Sequence, residues 1–283
     1  MNDLDGKYAD ARKMVARLDE RASLALEACL RGSGVLLKYW QALKNHEIRE
    51  KSKGDLVTSA DVESEAEISE FLLREMPEAG IVCEEGTVRH GKGLVWYLDP
   101  LDGTTNFVQR FPVFCVSLGL AELRDNQAPE LLCGVVLNPV SGELFWGVKG
   151  KGSYLGTERL AAAQKERFGE AMIATGFPRR YHDELQSFLK EFAYIFPRCR
   201  AIRRAGSAAL DLCWTAQGVF DGFWEHRLSA WDIAAGALIV QEAGGICSDF
   251  DGGDGFLASG NIIGASRLIQ AELLRCIRAA RAE

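Results

Sequence analysis

The chain has 283 residues, 47% of them apolar and 26% charged, with a net charge of -7. It can bury one large core or two modest ones, and its acidic balance argues against a nucleic-acid-binding surface, which carries an excess of Lys and Arg. No apolar run approaches the roughly 18 residues of a membrane span, and residues 1–7 are polar with no apolar stretch behind them, so neither a signal or transit peptide nor a transmembrane helix is expected.

Apolar residues recur at helical spacing over residues 10–43, among them Leu24, Ala28, Val35, Leu36, Tyr39, Trp40 and Leu43, interrupted at Gly32-Ser33-Gly34. One kinked helix and two helices fit this pattern equally. A charged segment occupies 47–54. Asp55-Leu56-Val57-Thr58 then reads as a short turn into a helix capped by Thr58, Ser59 or Asp61, which runs to about Met76 and stops at Pro77. Residues 80–83 form a short apolar strand ending in Glu84-Glu85-Gly86. After a polar loop at 89–93, Trp96-Tyr97-Leu98 reads as a second buried strand running into Asp99-Pro100-Leu101-Asp102-Gly103-Thr104-Thr105-Asn106-Phe107. Pro100 cannot donate a ladder hydrogen bond, so pairing is expected to end there and leave both aspartates on a turn. Open α/β sheets bind ligands at that edge. Strand-like runs follow at 114–120, 131–137 and 143–148, the last two joined by an Asn138-Pro139-Val140-Ser141-Gly142 hairpin, and Tyr154 ends the group.

In the second half, 171–175 reads as a strand, 183–196 as an amphipathic helix, 207–217 as a helix stopped by Gly218, and 220–224 as a strand. Residues 229–243 form a mostly apolar, buried helix ended by Gly244-Gly245. Strands near 246–249 and 261–264 precede a terminal helix at 266–280. There is no internal repeat or linker, so residues 1–283 are expected to form one layered α/β unit. Its two halves, residues 1–157 and 158–283, are expected to pack together.

Four acids stand out: Glu84, Asp99, Asp102 and Asp232, the last in Ser229-Ala230-Trp231-Asp232. Singly, each has an ordinary explanation: a solvated strand end, a turn former before proline, an Asx turn before glycine, and the acid of a capping box. Together they are harder to dismiss, because three follow strands and would gather at one sheet edge, where uncompensated carboxylates repel. Divalent cations hold such clusters, and all-oxygen sites suit Mg2+. Gly103 lets the backbone approach a ligand, while Thr104 and Thr105 add hydroxyls beside amides that can point at an anion. A two-ion site of this kind activates water at a phosphoryl centre, which points to hydrolysis of a phosphate monoester. Competing chemistries lack their parts: there is no G-x-S-x-G elbow, Walker A sequence or G-x-G-x-x-G opening a helix. The eight cysteines are scattered through apolar runs with no C-x-x-C pair, the usage of a reducing compartment, so a cytoplasmic location is expected.

The stretch Asp99-Pro100-Leu101-Asp102-Gly103-Thr104-Thr105-Asn106-Phe107 resembles the signature of the inositol monophosphatases. Trp231-Asp232-Ile233-Ala234-Ala235-Gly236, continued by Glu242-Ala243-Gly244-Gly245, resembles their second signature. Asp55-Leu56-Val57-Thr58 with Asp61, Glu84-Glu85, and Arg203-Arg204-Ala205-Gly206-Ser207-Ala208-Ala209-Leu210-Asp211-Leu212 also fit, the last in the manner of bacterial members. The resemblance implies an αβαβα five-layer sandwich of the inositol monophosphatase and fructose-1,6-bisphosphatase type, and a Mg2+-dependent, lithium-sensitive phosphatase that is a homodimer. It implies two or three ions per site. Glu84, Asp99 and the carbonyl of Leu101 would hold the first; Asp99, Asp102 and Asp232 the second; Glu84 would help with a third. Thr104, oriented by Asp61, and Glu84 would position the attacking water. Gly103, Thr104 and Thr105 would meet the phosphate, and Asp102, Ala208, Glu225 and Asp232 would face the inositol hydroxyls. Taken alone, Asp61 reads as a helix cap and His226 as a surface or packing residue. Arg179-Arg180 and Arg203-Arg204 read as solvated basic patches in preference to phosphate or dimer contacts.

The expected reaction is hydrolysis of myo-inositol monophosphates by a metal-activated water. Alternatives are another small phosphate monoester (fructose 1,6-bisphosphate, histidinol phosphate or 3'-phosphoadenosine 5'-phosphate) or a regulatory protein on the same fold that binds a macromolecular partner. Thr104-Thr105-Asn106-Phe107 favours the inositol branch over the nucleotide branch, whose members tend to carry Lys-Glu-Phe there. His226-Arg227-Leu228-Ser229 departs from the commoner family wording and bears on the shape of the sugar pocket.

Overall fold

Asp19 accepts hydrogen bonds from the backbone N–H groups of Arg21 and Ala22 and so opens the helix Glu20–Tyr39, separating it from Ala9–Leu18. The break in the first helical region therefore falls at Asp19. Gly32-Ser33-Gly34, expected to interrupt it, stays helical and buried; a Cβ on Gly32 would sit 2.4 Å from Ile68 Cδ1, so this stretch serves close contact with the helix Ser59–Glu75. The computed structural model describes residues 4–40, 42, 44, 48–52, 55–163, 165–178 and 182–282. Leu43, Arg179 and Arg180, named above, lie outside the described residues. Residues 55–58, expected to be a turn, form the strand Asp55–Thr58, which pairs antiparallel with Ile48–Ser52 in the charged segment.

Eight strands form the larger sheet, in the order Glu158–Arg159, Gly152–Leu155, Glu143–Val148, Glu130–Asn138, Cys115–Glu122, Leu94–Asp102, Gly80–Cys83 and Val88–Arg89. Its one parallel pair is Gly80–Cys83 with Leu94–Asp102, in register at Ile81 and Trp96. Pro100 does not end this strand. Asp99 pairs with Ser117 and Asp102 with Cys115, so three residues forward on one strand match two on the other, and the extra residue is absorbed as a bulge at Pro100-Leu101. A bulged position needs no ladder hydrogen bond, which is why proline is tolerated there. Residues three apart on a regular strand point to opposite faces; the bulge re-aims them, and Asp99 and Asp102 line one pocket.

The smaller sheet has the order Ala201–Arg203, Met172–Thr175, Gly222–Glu225, Ile262–Ala265 and Ile246–Ser248, parallel among its first three strands and antiparallel thereafter. Between the sheets lie the helices Ala208–Gln217 and Ala230–Glu242. The second is apolar all round, as a helix sandwiched between sheets must be, and residues 233–240 are buried without exception. It packs almost backbone to backbone: a Cβ on Gly134 would lie 2.8 Å from Ala235 Cα, and one on Gly119 would lie 2.9 Å from Ala234 Cβ. This close approach sets the helix's first turn, with Asp232, against the end of the larger sheet.

Outer helices complete the αβαβα order. Leu26, Leu36, Ile68 and Leu72 of Glu20–Tyr39 and Ser59–Glu75 pack with Trp96, Leu98, Leu118 and Trp146 of the larger sheet. Phe188 and Ile195 of Leu185–Ile195, with Leu273 and Ile277 of Arg267–Ala282, pack with Ile173, Trp224 and Ile263 of the smaller. Burial of each such side chain contributes roughly 1.5–3 kcal/mol. Among the described residues no helix is long and apolar enough to cross a membrane, and all eight cysteines are free thiols.

Candidate active site

The bulged strand places Asp99 at the floor of a pocket, with 1% of its surface exposed and Oδ1 accepting the Leu101 N–H at 2.9 Å. Glu84 follows the parallel neighbour strand and donates its own N–H to Leu98 O at 3.2 Å. Its turn is pinned from below by Glu65, 4% exposed, whose two oxygens accept the N–H groups of Glu85 (2.7 Å) and Thr87 (3.0 Å). Asp232 comes from the first turn of Ala230–Glu242, where its Oδ2 accepts the Ser229 N–H at 2.7 Å. The capping role and the pocket role are thus held by one side chain. Glu84, Asp99 and Asp232 each offer an oxygen, and these oxygens lie within 4.8 Å of one another. Burial, together with the charges of Glu84, Asp102 and Asp232, pushes the Asp99 carboxyl well above its ordinary range. Carboxylates gathered this closely repel one another, and an all-oxygen donor set of this kind fits a hard divalent cation.

Asp102 stands beside this group. Its Oδ2 accepts the Ser207 hydroxyl at 2.6 Å and the Ala209 N–H at 2.8 Å, tying the strand to the start of Ala208–Gln217. Burial pushes its carboxyl up to about 6 against those hydrogen bonds, with Glu84 adding to the rise. Gly103 follows with φ 95°, a left-handed conformation that favours glycine; a Cβ there would also lie 2.9 Å from Val113 O. The Thr104 hydroxyl lies 3.1 Å from Asp61 Oδ1 and 3.1 Å from Leu101 O. Asp61 is fully buried, and its Oδ2 accepts both the N–H (2.9 Å) and the hydroxyl (2.6 Å) of Thr58. It is therefore both the helix-capping acid and the group behind Thr104. Burial raises it to about 7, the Thr58 hydrogen bond lowers it, and Glu85 and Glu84 add to the rise.

The pocket encloses about 620 Å3, and Thr105, Ala208 and Glu225 join its lining. Glu225 ends the strand Gly222–Glu225; burial pushes its carboxyl up to about 8, against the pull of Arg204. Every expected site residue lines the pocket except Asp61, which stands behind Thr104. Asn106 Nδ2 donates to Val113 O (2.7 Å) and Ala205 O (3.0 Å), joining the Gly103 turn to the 205–206 loop. Arg203 and Arg204 are exposed, but Arg204 is part of the pocket wall, its guanidinium 5.5 Å from the Phe177 ring centroid. His226 is a packing residue: it is 4% exposed, with Nε2 2.6 Å from Glu191 Oε2 and its ring against Phe250. Sequence reasoning missed Glu65, Ser207 and Arg204 as parts of the site. Glu65 left one signal, its position four residues after Asp61 and so on the same helix face.

The inositol monophosphatase family model matches residues 17–282. The chain is 36% identical over 259 residues to the inositol-1-monophosphatase of Caulobacter vibrioides, covering 90% of this chain and 100% of that protein. It is 38% identical over 258 residues to a Haemophilus influenzae protein named Nus factor SuhB, covering 90% and 95% respectively. Among solved structures, the extragenic suppressor protein suhB from Bartonella henselae matches with a TM-score of 0.83 at 33% identity, covering 90% of this chain and 97% of that one.

Proposed function

This chain belongs to the inositol monophosphatase family, and we propose that it is a Mg2+-dependent phosphatase that hydrolyses myo-inositol monophosphates to inositol and phosphate. The observation that carries this reading is the convergence of Glu84, Asp99 and Asp232 to within 4.8 Å beside the Asp61-held Thr104 hydroxyl. Glu84, Asp99 and the Leu101 carbonyl would hold one cation and Asp99, Asp102 and Asp232 a second, with Glu84 helping a weaker third. When bound, such cations supply Lewis acidity for the phosphoryl oxygens and a water acidic enough to attack near neutral pH. Gly103, Thr104 and Thr105 receive the phosphate. Thr104, held by Asp61, and Glu84 orient the attacking water; its oxygen bonds to phosphorus as the ester P–O bond breaks and the alcohol leaves with a proton. Asp102, Ala208, Glu225 and Asp232 face the departing polyol.

Lithium sensitivity and a homodimeric state follow from the family resemblance. The free cysteines support a cytoplasmic location. Release of phosphate with Mg2+ tests the reading: kcat/KM should be highest for a myo-inositol monophosphate against fructose 1,6-bisphosphate, histidinol phosphate and 3'-phosphoadenosine 5'-phosphate. No turnover of any of the four by folded protein with metal present would overturn it. The relative named Nus factor SuhB favours a second, additional reading, in which the surface engages a macromolecular partner. Asp99→Asn separates the two, because it removes turnover and leaves the surface intact.

A further inference from the structure

One carboxylate in the pocket has no part in the chemistry above. Asp211, in the first turn of Ala208–Gln217, lines the pocket together with Glu225, Arg204 and Phe177, and 1% of its surface is exposed. Its Oδ1 is buried with no hydrogen-bond partner among the described residues. Helix capping does not explain it. Asp102 accepts the Ala209 N–H, the Ser207 hydroxyl accepts the Leu210 N–H at 3.3 Å, and Ser207 O accepts the Asp211 N–H. An acid in a first turn gains something from the helix dipole, but a buried carboxylate oxygen left unpaired loses more than that through desolvation. Its surroundings add acceptors: burial and the charges of Glu225 and Asp102 push the Asp211 carboxyl well above its ordinary range, and Arg204 opposes them.

A hydrogen-bond donor on a ligand would supply what the carboxylate lacks. Asp211 comes from the middle helical layer and Glu225 from the smaller sheet, so the two carboxylates reach the one pocket from different elements. A ring bearing several hydroxyls can donate to both, and a leaving group without hydroxyls satisfies neither. We propose that Asp211 is a specificity-determining residue of this site, its carboxylate accepting a hydroxyl of the leaving polyol beside the Glu225 contact while Arg204 balances the pair. The site then selects phosphate esters whose alcohol carries hydroxyls away from the ester carbon. The proposal rests on the phosphatase reading above.

The test compares kcat/KM for myo-inositol 1-phosphate and for phenyl phosphate, which has no hydroxyl donor, in wild type, Asp211→Leu and Asp211→Asn with Mg2+. Leucine has similar bulk and no acceptor, and should lower the ratio of the two values by about tenfold or more, mainly through KM. Asparagine keeps a neutral acceptor and should recover part of the loss; it carries the test alone, with a fall of several-fold, if the leucine variant does not fold. Equal losses on both substrates, or a ratio within about twofold of wild type, would overturn the proposal and leave Asp211 a structural acid. If the wild type cleaves another hydroxylated ester but not inositol phosphate, the substrate reading fails and the same ratio is read on that ester. Cleavage of phenyl phosphate alone would overturn both.

Discussion

Glu65→Gln is the most informative perturbation of the site's support, because Glu65 is expected to touch neither substrate nor ion. Each of its oxygens accepts one backbone N–H, from Glu85 at 2.7 Å and Thr87 at 3.0 Å, and at 4% exposure water cannot replace them. Glutamine retains one acceptor and turns an NH2 toward the other N–H, so one hydrogen bond to a charged group is lost and one buried donor is orphaned. That costs about 3 kcal/mol, or a fall in Tm of roughly 6–12 °C at ~2–4 °C per kcal/mol for a chain of this size. Glu84 is adjacent to the released turn, so Mg2+ affinity should weaken by about tenfold or more, the usual effect of losing a group that orients a metal ligand. Calorimetric Mg2+ titration and thermal melts with and without the ion measure both effects. A lowered Tm with unchanged Mg2+ affinity would refute the reasoning, since it would mean that Glu84 is held by other contacts.

Two further substitutions probe the acids themselves. Asp99→Asn removes a carboxyl whose ionisation burial and the charges of Glu84, Asp102 and Asp232 oppose, so it should raise the Tm of the metal-free protein at pH values where that carboxyl is forced to ionise, while abolishing both turnover and the Mg2+-dependent rise in Tm; near-normal activity would mean the ions are held elsewhere. Glu225→Gln should alter substrate preference more than the chemical step, and a uniform loss across substrates would count against its contact with the polyol. It also carries a pH signature. The Glu225 carboxyl is raised from 4.5 to about 8 in the folded chain, so the folded state keeps a proton that the unfolded state releases. Metal-free wild type should therefore lose stability relative to Glu225→Gln as pH climbs from about 4.5 through about 8. A Tm difference that stays constant over that range would contradict the assigned burial.

Glu84, Asp99 and Asp102 were legible because acids directly after apolar runs have few reasons to be there, whereas Asp232 stood out only through the Ser229-Ala230-Trp231-Asp232 stretch that opens a helix. Their joint meeting depended only on which elements end at one edge, and alternating strands and helices convey that. The bulge was not legible, since a proline after a strand ends pairing in most contexts and only the register against Ser117 and Cys115 shows the extra residue. The helix break failed for a similar reason. Gly32-Ser33-Gly34 has breaker composition, but its glycine serves contact with Ile68, a residue far away in sequence. Asp61 and Asp232 looked like helix caps and are caps; an oxygen hydrogen-bonded within the helix end leaves its twin to face the site, so the ordinary reading and the functional one were never exclusive. Glu65 and Asp211 stayed hidden because the groups that Glu65 holds belong to another element, and Asp211 Oδ1 has no hydrogen-bond partner among the described residues.

The central claim is that this carboxylate cluster works through divalent cations to cleave an inositol phosphate ester. Its most direct test is phosphate release from myo-inositol 1-phosphate by the wild-type protein, first stripped with a chelator and then resupplied with Mg2+. Turnover lost on chelation and restored by Mg2+, with Asp99→Asn inactive throughout, is the predicted result. Turnover that persists in the stripped protein, or none after Mg2+ is restored to folded wild type, would contradict it.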